Sequence, residues 1–410
     1  MTRARTEGVT EAGIIVIGGG QAGSALVSKL RSNGYAGPLT LVCAEPVAPY
    51  QRPPLSKAYL LGEMELDRLF LRGADWYGAQ DISLMLGQAA TVIDAAAQTV
   101  TVGGKVLPYS ELALTTGSIP RRLPAAVGGD LGGIYVVRTL ADIDAMAPEF
   151  APGKRLVVIG GGYIGLEAAA VAAKRGVAVS VVEMAPRILQ RVAAPQTSDY
   201  FRAAHRAHGV EVIEGVGLDR LLGDGRVSGA RLTDGRELPA DFVIAGVGIV
   251  PDVALAEAAG AAIENGIRTD AQGRTSVPHV WAAGDCASFP WQSGRLRLES
   301  VQNAIDQAEC VADNMMGEGR DYRPTPWFWS DQYDIKLQIA GLNTGYDRIV
   351  TRGEGATVSF WYYLGDQLLA VDAMNDPRAY MIGKRLLEMG RSADPAVIAD
   401  ATRDLKPLLK

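Results

Sequence analysis

The sequence of 410 residues has little cysteine and no long apolar run. Its three cysteines, Cys43, Cys286 and Cys310, are too scattered for a disulfide framework and lack the paired spacing of zinc or iron–sulfur ligands, which indicates a reducing compartment. No apolar segment is long enough to span a bilayer, and residues 1–12 lack the apolar core of a signal peptide. We therefore expect a cytoplasmic protein with no membrane association and no metal site.

Excess positive charge is also missing. The formal net charge is −6, so no overall basic field attracts a phosphate backbone, and nucleic acid is not an expected partner. Hydrophobic residues make up 48% of the chain and charged residues 21%, as in globular proteins. A chain of this length exceeds one ordinary core and predicts two or three domains.

The chain carries one internal duplication. The β-branched run Ile14–Ile17 leads into a glycine loop and a helix-like segment, and the run Leu156–Ile159 leads into another. Continuous apolar runs of this kind are typical of parallel strands buried on both faces. The sequence therefore predicts an α/β protein with two doubly wound, Rossmann-like units, each binding its own nucleotide.

The first glycine loop fits the GxGxxG fingerprint of dinucleotide-binding proteins. Gly18 makes the turn, Gly20 lets a pyrophosphate touch the backbone, and Gly23 allows tight packing of the helix on the strand. Glu45 follows the next strand, where a carboxylate can accept both ribose hydroxyls of an adenosine. Strand, loop, helix and acid together predict a dinucleotide site.

The second loop repeats the fingerprint with Gly160, Gly162 and Gly165, and its site also includes Tyr163 and Ile164. Glu183 closes the following strand at the ribose position. Its charge favours NADH because it would repel the 2′-phosphate of NADPH. Arg187 and Arg191 leave this preference open. Both could lie beside the ribose and offset the repulsion, or Arg191 could instead meet the pyrophosphate.

Two further polar features have alternative interpretations. Glu167, which we expect in the first turn of the second loop's helix, is either a surface carboxylate stabilised by the helix dipole or a hydrogen-bond acceptor on the nicotinamide side. His205 and His208 have helical i,i+3 spacing, but no third ligand lies nearby in the sequence. We expect both histidines on a solvated face.

Four segments resemble the bacterial FAD-dependent NADH:ferredoxin reductases, the putidaredoxin-reductase-like enzymes that feed haem monooxygenases or ring-hydroxylating dioxygenases. They are Pro49–Lys57, Gly160–Glu167, Ala282–Ala287 and Pro326–Gln332. The resemblance covers essentially the whole chain and implies a glutathione-reductase-like architecture with non-covalent FAD at the first loop and NADH as substrate. Disulfide reductases of this architecture carry a cysteine pair where this chain has Arg52–Ser56, which contains no cysteine.

The resemblance also implies roles for individual residues. Lys57 lies near the flavin ring, Asp285 binds the ribityl chain, and Trp329 flanks the ring, with Trp327 as a competitor and core packing as the alternative for both. Glu167, Lys57 and Trp329 are the expected catalytic residues. The family resemblance also implies cofactor contacts at Ala22, Arg138 and Val301, and more weakly at Ala90. The remaining expected cofactor contacts are Arg52, Arg191 and Gly248.

The family resemblance implies an electron acceptor as well. The expected partner is a [2Fe-2S] ferredoxin, and indirectly an oxygenase, because the chain has no iron–sulfur ligands of its own. Alternatives are a rubredoxin or monodehydroascorbate reductase, and an apoptosis-inducing-factor-like protein whose interactions are switched by NADH. Clustering in the last third of the sequence suggests five docking cations: Arg295, Arg297, Arg378, Lys384 and Arg385.

We expect three domains. A segment rich in Pro, Gly and Arg at Ile119–Gly133 is typical of a linker, and after Pro324 aromatic and alternating segments begin. The expected FAD-binding domain is discontinuous, with residues 1–119 and 249–325. The NAD-binding domain spans 120–248, and a small α+β C-terminal domain spans 326–410.

Overall fold

The computed structural model describes residues 12–410, which divide into two compact units. The first unit comprises residues 12–51, 66–119 and 250–324, and the second comprises 52–65, 120–249 and 325–410. Each is therefore assembled from three separate stretches of chain. No helix within residues 12–410 is both long and apolar enough to cross a membrane.

The first unit is built on a seven-stranded sheet with Gly13–Ile17 at its centre, where all five residues are buried. Parallel strands flank it on both sides, as the β-branched pattern predicts for a sheet covered on both faces. The parallel strands, in spatial order, are Ile82–Leu86, Leu39–Cys43, Gly13–Ile17, Lys105–Leu114 and Val280–Ala282. Two antiparallel strands, Thr99–Val102 and Ala90–Asp94, extend the sheet from Lys105–Leu114.

Two helices cover one face of this sheet. Gln21–Ser32 packs against Val301–Met315, and both contribute to a core with Leu26, Leu30 and Val311. The opposite face carries a second apolar core, and the shorter elements surround the sheet. These shorter elements are Leu66–Leu69, Ala74–Ala79, Ser118–Pro120, Ile249–Pro251, Ala254–Ala258, Ile267–Arg268, Ala287–Trp291 and Gly294–Leu296.

The second unit contains a five-stranded parallel sheet. Its strands, in spatial order, are Glu211–Glu214, Ala178–Glu183, Arg155–Ile159, Phe242–Ala245 and Ile134–Tyr135. The chain runs from Arg155–Ile159 outward to one edge and then crosses to Phe242–Ala245 on the other side. The strand order therefore reverses between these two strands, which is where doubly wound sheets bind ligands.

Helices and a small antiparallel sheet complete this part of the second unit. Tyr163–Lys174 follows the second glycine loop directly, because an alanine-rich sequence with small buried side chains can lie close to the sheet. Thr139 caps Leu140–Met146 with a capping box to Asp142. The other elements are Leu55–Tyr59, Ala125–Val127, Ala147–Glu149, Pro195–Ala207, Leu218–Asp224, Arg226–Leu232 and Glu237–Pro239.

The C-terminal part of the second unit is a five-stranded antiparallel sheet. In spatial order its strands are Trp327–Gln332, Ile335–Gly341, Gln367–Met374, Thr357–Leu364 and Arg348–Glu354. Helix Pro377–Glu388 covers one face, and Trp361 and Val371 lie fully buried beneath it. The chain ends with Pro395–Ala399 and Lys406–Leu409.

Candidate functional site

Close packing explains two glycines of the first loop. Gly18 has φ +117°, and a Cβ atom there would lie 2.2 Å from the carbonyl oxygen of Thr115. A Cβ atom on Gly23 would lie 2.0 Å from the carbonyl oxygen of Gly18. The Thr115 hydroxyl donates a 3.0 Å hydrogen bond to that same Gly18 oxygen. The turn between strand and helix is therefore too tight for a side chain at Gly18 or at Gly23.

Gly20 is different, because neither packing nor conformation requires a glycine there. Its φ is −92°, and no heavy atom of the described chain lies within 4 Å of its Cβ position. It precedes helix Gln21–Ser32 as an N-cap without a side-chain hydrogen bond. Open space in front of free helix N–H groups fits a pyrophosphate, so the loop fits the FAD expected from the sequence.

The first unit also holds the other first-loop candidates. Glu45 accepts a 2.5 Å hydrogen bond from the hydroxyl of Tyr50, which fixes its carboxylate. Asp285 accepts a 2.9 Å hydrogen bond from the Ser118 hydroxyl. A Cβ atom on Gly284 would lie 3.1 Å from the Ala22 Cβ, so the Gly-Asp motif lies next to the loop helix. Ala90 and Val301 each begin an element of this unit, Ala90–Asp94 and Val301–Met315.

All three cysteines lie buried as free thiols. Burial and the nearby carboxylate of Glu45 raise the pKa of the Cys43 thiol to about 12. Burial likewise raises the pKa of Cys286 and that of Cys310. Thiols of this kind are small core residues at neutral pH, because the reactive species is the thiolate.

The second loop repeats the geometry of the first. Gly160 has φ +106°, and its Cβ position lies 2.3 Å from the Gly246 carbonyl oxygen. The Cβ position of Gly165 lies 2.4 Å from the Gly160 carbonyl oxygen. Gly162, the N-cap of helix Tyr163–Lys174, has φ −82° and no described heavy atom within 4 Å of its Cβ position. The space in front of this helix fits a second pyrophosphate.

Glu183 is held by the backbone around it. One carboxylate oxygen accepts a 2.7 Å hydrogen bond from the Gly161 amide, and the other accepts one of 2.7 Å from the Ala185 amide. The carboxylate thus lies directly at the second loop. Arg187 donates to the Ser198 hydroxyl of helix Pro195–Ala207 at 2.6 Å and to the Gln190 carbonyl.

The remaining second-loop candidates lie at the same end of the sheet. The Tyr163 ring packs on Phe328 with centroids 4.9 Å apart, and its hydroxyl is buried without a hydrogen-bond partner in the described chain. Ile164 is 44% exposed. Arg191 is exposed, and its guanidinium approaches Gly248.

Glu167 is a buried member of an ion pair. Its Oε2 atom accepts hydrogen bonds from Lys57 Nζ at 2.7 Å and from Ser56 Oγ at 2.9 Å. Its Oε1 atom accepts one of 2.7 Å from Ser330 Oγ. The interpretation as a surface carboxylate is wrong, because the residue is only 5% exposed. The expected position in the first helical turn is also wrong, since Glu167 is the fifth residue of Tyr163–Lys174.

A hydrogen-bonded chain continues from Ser330 to a buried histidine. Gln332 donates to Ser330 at 3.2 Å and contacts His205 Nε2 through its carbonyl oxygen at 2.8 Å. The Tyr333 hydroxyl contacts His205 Nδ1 at 2.9 Å. The expectation that His205 lies on a solvated face is wrong, because the residue is fully buried and burial lowers its pKa to about 4. His208 is exposed and stacks on Tyr333.

The described residues contain no group of three or more metal-ligating side chains.

The other aromatic and basic candidates lie in the second unit. Arg52 donates a 2.6 Å hydrogen bond to the Arg138 carbonyl. Trp329 is half-buried, and its ring lies 5.6 Å from that of Trp327, which in turn contacts Lys384.

The expectation of a docking role is wrong for two of the five suggested cations. Arg295 donates to the Thr269 and Ser288 carbonyls, and its side chain is 17% exposed. Arg297 donates to the Asp285 carbonyl and pairs with Glu299, and the Arg297 side chain is 11% exposed. These two guanidinium groups therefore stabilise the first unit internally. The other three suggestions belong to helix Pro377–Glu388, with side-chain exposures from 30% to 68%: Arg378, Lys384 and Arg385.

Three buried polar residues of the second unit escaped sequence analysis: Ser56, Ser330 and Asp372. Ser56 and Ser330 orient Glu167, and their only signal was their place inside the two most specific motifs. Asp372 gave no signal at all. It is buried in the second unit, accepts a 2.7 Å hydrogen bond from Thr197 and a short one from Tyr362, and its Oδ1 atom has no partner in the described chain. Burial raises the pKa of Asp372 to about 6.

Comparison with known protein families agrees with this geometry. Residues 12–308 match the family described as pyridine nucleotide-disulphide oxidoreductase, and residues 327–409 match the family described as reductase C-terminal. The matches leave only the ends of the chain and residues 309–326 outside.

Curated relatives extend over nearly the whole chain. A ferredoxin–NAD(P)+ reductase from a Sphingomonas species is 44% identical over 392 residues, with 94% of each chain covered. Rhodocoxin reductase from Rhodococcus erythropolis is 41% identical, covering 96% of this chain and 93% of the relative. Putidaredoxin reductase from Pseudomonas putida is 40% identical, covering 97% and 96%.

Solved structures show the same fold. The reductase in the covalent putidaredoxin reductase–putidaredoxin complex matches with a TM-score of 0.94 at 38% identity, covering 98% of both chains. A ferredoxin reductase from Rhodopseudomonas palustris matches with the same TM-score and identity, covering 98% of this chain and all of that one.

These findings confirm several expectations from the sequence. The fold class is two Rossmann-like domains with a C-terminal α+β domain. The protein is an oxidoreductase that binds FAD non-covalently and uses a nicotinamide dinucleotide as substrate. The resemblance to ferredoxin reductases is confirmed by relatives along the whole chain. The chain therefore belongs to the pyridine nucleotide-disulphide oxidoreductase family, among its ferredoxin reductases.

Proposed function

We propose that this protein is an NADH:ferredoxin reductase that passes electrons from NADH through FAD to a [2Fe-2S] ferredoxin, which in turn supplies an oxygenase. Bound FAD supplies the ability to accept a hydride as an electron pair and to release the electrons singly. The protein's own residues bind and orient the two dinucleotides and supply fixed charge beside them.

One observation carries the proposal. Each glycine loop contains a glycine, Gly20 or Gly162, whose Cβ position faces open space at the start of a helix. Folding alone requires a glycine at neither position, whereas close approach of a pyrophosphate requires one at both. Two such loops support two dinucleotides in one chain, as hydride transfer from NADH to FAD demands.

For FAD we propose the contacts expected from the sequence. Gly18, Gly20 and Gly23 hold the pyrophosphate, Glu45 accepts the ribose hydroxyls, and Asp285 accepts those of the ribityl chain. Arg297 supports Asp285 through its 3.1 Å hydrogen bond to the Asp285 carbonyl. The further proposed FAD contacts are Ala22, Arg52, Ala90, Arg138 and Val301.

For NADH we propose that the second loop and Glu183 hold the dinucleotide. The Glu183 carboxylate already accepts two backbone N–H groups, so it is fixed in place and cannot turn away from a 2′-phosphate. Its charge therefore disfavours NADPH. The further proposed contacts are Gly160, Gly162, Tyr163, Ile164, Gly165, Arg191 and Gly248.

Three residues are proposed to act beside the reacting atoms: Lys57, Glu167 and Trp329. The ion pair fixes the ammonium of Lys57, which supplies positive charge where negative charge develops in the reaction. Ser56 and Ser330 occupy the other acceptor positions of Glu167, so the carboxylate cannot rotate. Trp329 would flank the flavin and limit the access of water.

The acceptor assignment is supported by the relatives. Two of them are the reductase components of the p-cumate and anthranilate dioxygenase systems from Pseudomonas putida and Burkholderia cepacia, each 37% identical. One matching structure contains a reductase joined to putidaredoxin. A rubredoxin or monodehydroascorbate reductase, or an apoptosis-inducing-factor-like protein, is not favoured by these matches.

We also propose a division of the chain by cofactor and a place in the cell. Residues 1–119 with 249–325 serve FAD, residues 120–248 serve NADH, and residues 326–410 form the C-terminal domain. Three free, buried thiols support a reducing compartment, for which we propose the cytoplasm.

The test is NADH-dependent reduction of cytochrome c by the purified holoprotein, with and without a [2Fe-2S] ferredoxin from the same organism, repeated with NADPH. We expect ferredoxin to accelerate the NADH reaction strongly and NADPH to be the poorer donor. If NADH bleached the flavin but ferredoxin added nothing, the acceptor assignment would be wrong.

A further inference from the structure

Two guanidinium groups meet beside Gly248. From the position that a Cβ atom of Gly248 would take, Arg191 Nη2 lies 3.8 Å away and Arg121 Nε lies 4.0 Å away. Gly248 has φ +98°, a conformation that favours glycine, and its carbonyl oxygen accepts a 2.9 Å hydrogen bond from the Arg121 amide. Backbone contacts therefore fix Arg121 next to a residue that cannot carry a side chain between the two arginines.

Neither side chain has an acidic partner within residues 12–410. Both are exposed, and neither guanidinium forms a hydrogen bond or an ion pair with a described residue. Other arginines of this unit do pair, for example Arg155 with Asp241 and Arg202 with Glu214. Two cations placed together without a carboxylate repel each other, and an anion between them would remove that cost.

Their location in the fold identifies the kind of anion. Gly246 packs on Gly160, whose Cβ position lies 2.3 Å from the Gly246 oxygen. Gly248 thus lies on the loop after Phe242–Ala245, directly beside the second glycine loop. The strand order reverses between these two loops, and that crevice is the ligand-binding position of a doubly wound sheet. The nearby Gly162 leaves its own open space at the helix N-terminus.

We propose that Arg121 is a further binding residue for the nicotinamide dinucleotide, holding its pyrophosphate together with Arg191. This inference rests on the proposed function, in which the second loop binds NADH. Guanidinium groups suit this ligand because their planar N–H donors match phosphate oxygens and cannot lose their charge. The helix N-terminus at Gly162 and the two arginines would then contact the pyrophosphate from different sides.

The same two cations could instead serve a 2′-phosphate, and the two ligands differ in a measurable way. If the guanidinium groups contact the pyrophosphate, removing one weakens the binding of NAD⁺, NADP⁺ and ADP-ribose alike, because all three contain a pyrophosphate. If they contact a 2′-phosphate, removing one weakens the binding of NADP⁺ alone. Glu183 lies at the second loop where the ribose is expected, and its carboxylate would oppose a 2′-phosphate. The pyrophosphate is therefore the ligand group that we infer.

The test compares Arg121→Gln with Arg122→Gln in the oxidised FAD-loaded protein. The second variant removes the same charge from the next residue, which is also exposed. Calorimetric titrations with NAD⁺, NADP⁺ and ADP-ribose measure binding without turnover. We expect Arg121→Gln to weaken the binding of NAD⁺ and ADP-ribose about tenfold and to reduce the salt dependence of binding, since one charge-assisted hydrogen bond is lost. We expect Arg122→Gln to match the wild type and Arg121→Lys to retain part of the affinity.

Each unfavourable result has a distinct meaning. Equal affinity of wild type and Arg121→Gln for NAD⁺ and ADP-ribose would overturn the inference about Arg121 and leave the proposed function intact. A loss confined to NADP⁺ would overturn the assignment to the pyrophosphate. Equal losses of affinity in Arg121→Gln and Arg122→Gln would overturn the inference as well, because they would show an effect of general surface charge and not of a specific contact. A wild-type protein that binds neither ligand would instead contradict the proposed function.

Discussion

The ammonium of Lys57 lies 2.7 Å from the carboxylate of Glu167, and the two side chains are only 19% and 6% exposed. Two serines complete the hydrogen bonding of the carboxylate. A buried ion pair of this kind contributes little net stability when intact, but the loss of one charge leaves the other unpaired in a poorly solvated place. The pair therefore fixes the position of a cation that we assign to the reaction.

Glu167→Gln tests the importance of this pair. We expect the free energy of unfolding to fall by about 2–3 kcal/mol, because Lys57 loses its charged partner, and NADH-dependent flavin reduction to slow. Urea unfolding and stopped-flow absorbance measure the two effects. Glu63→Gln is the matched control, since Glu63 pairs with Lys174 at 3.0 Å with more than half of each side chain exposed. Similar losses in both variants would contradict a special role for Glu167.

Gly162→Ala and Gly165→Ala should separate ligand binding from folding. Alanine at 162 enters open space, so we expect a stability change of about 1 kcal/mol or less but at least roughly tenfold weaker NAD⁺ binding. Alanine at 165 lies 2.4 Å from the Gly160 oxygen, and we expect it to destabilise the fold by about 1–3 kcal/mol. Thermal unfolding and NAD⁺ titration on both variants measure this contrast. Unchanged NAD⁺ affinity in Gly162→Ala would contradict a pyrophosphate at that position.

Asp372 should make stability fall as the pH rises. Burial raises its pKa from 3.8 to about 6, so the unfolded chain releases the proton at lower pH than the folded protein does. Between pH 4 and pH 6 the free energy of unfolding should therefore decrease, by about 2–3 kcal/mol from this group. Because His205 contributes the opposite trend over this range, the measurement is a difference: relative to the wild type, Asp372→Asn should gain about 2–3 kcal/mol from pH 4 to pH 6 in urea unfolding series.

The control for Asp372 is Asp366→Asn, because the Asp366 side chain is 96% exposed in the turn between strands Thr357–Leu364 and Gln367–Met374. We expect this variant to keep the wild-type pH profile. A wild-type profile in Asp372→Asn as well would show that folding does not raise the pKa of Asp372.

The contribution of His205 should make stability rise with pH, opposite to that of Asp372. Burial lowers its pKa from 6.5 to about 4, so the unfolded chain binds a proton before the folded protein does. Its contribution to stability should be complete above pH 6.5 and should decline by about 2–3 kcal/mol as the pH falls to 4. Relative to the wild type, His205→Gln should gain about 2–3 kcal/mol as the pH falls from 6.5 to 4 in urea unfolding series, whereas the exposed His208→Gln should follow the wild-type profile. The absence of this gain in His205→Gln would contradict the lowered pKa of His205.

Local sequence spacing was sufficient to predict part of this structure. Gly23 and Gly165 are required by carbonyl oxygens of the same loop, those of Gly18 and Gly160, so the fingerprint determines these close contacts. The buried β-branched runs likewise predict the parallel strands on which both loops stand. These features are local, and the sequence specifies them directly.

Long-range partners explain the errors. His205 is buried because Gln332 and Tyr333, far along the chain, close over it. Arg295 and Arg297 look like surface cations in the sequence, yet folding places carbonyl groups around them. Neither exposure nor a distant hydrogen-bond partner can be read from residue spacing in one sequence, so such features need the folded chain.

The parallel strand Val280–Ala282 has a consequence for protein synthesis. It pairs with Lys105–Leu114, although the whole parallel sheet of the second unit lies between them in the chain. A ribosome must therefore complete most of the protein before this sheet can close. Until then, one edge of Lys105–Leu114 exposes unpaired backbone groups to other nascent chains, which makes chaperone protection most valuable in that interval.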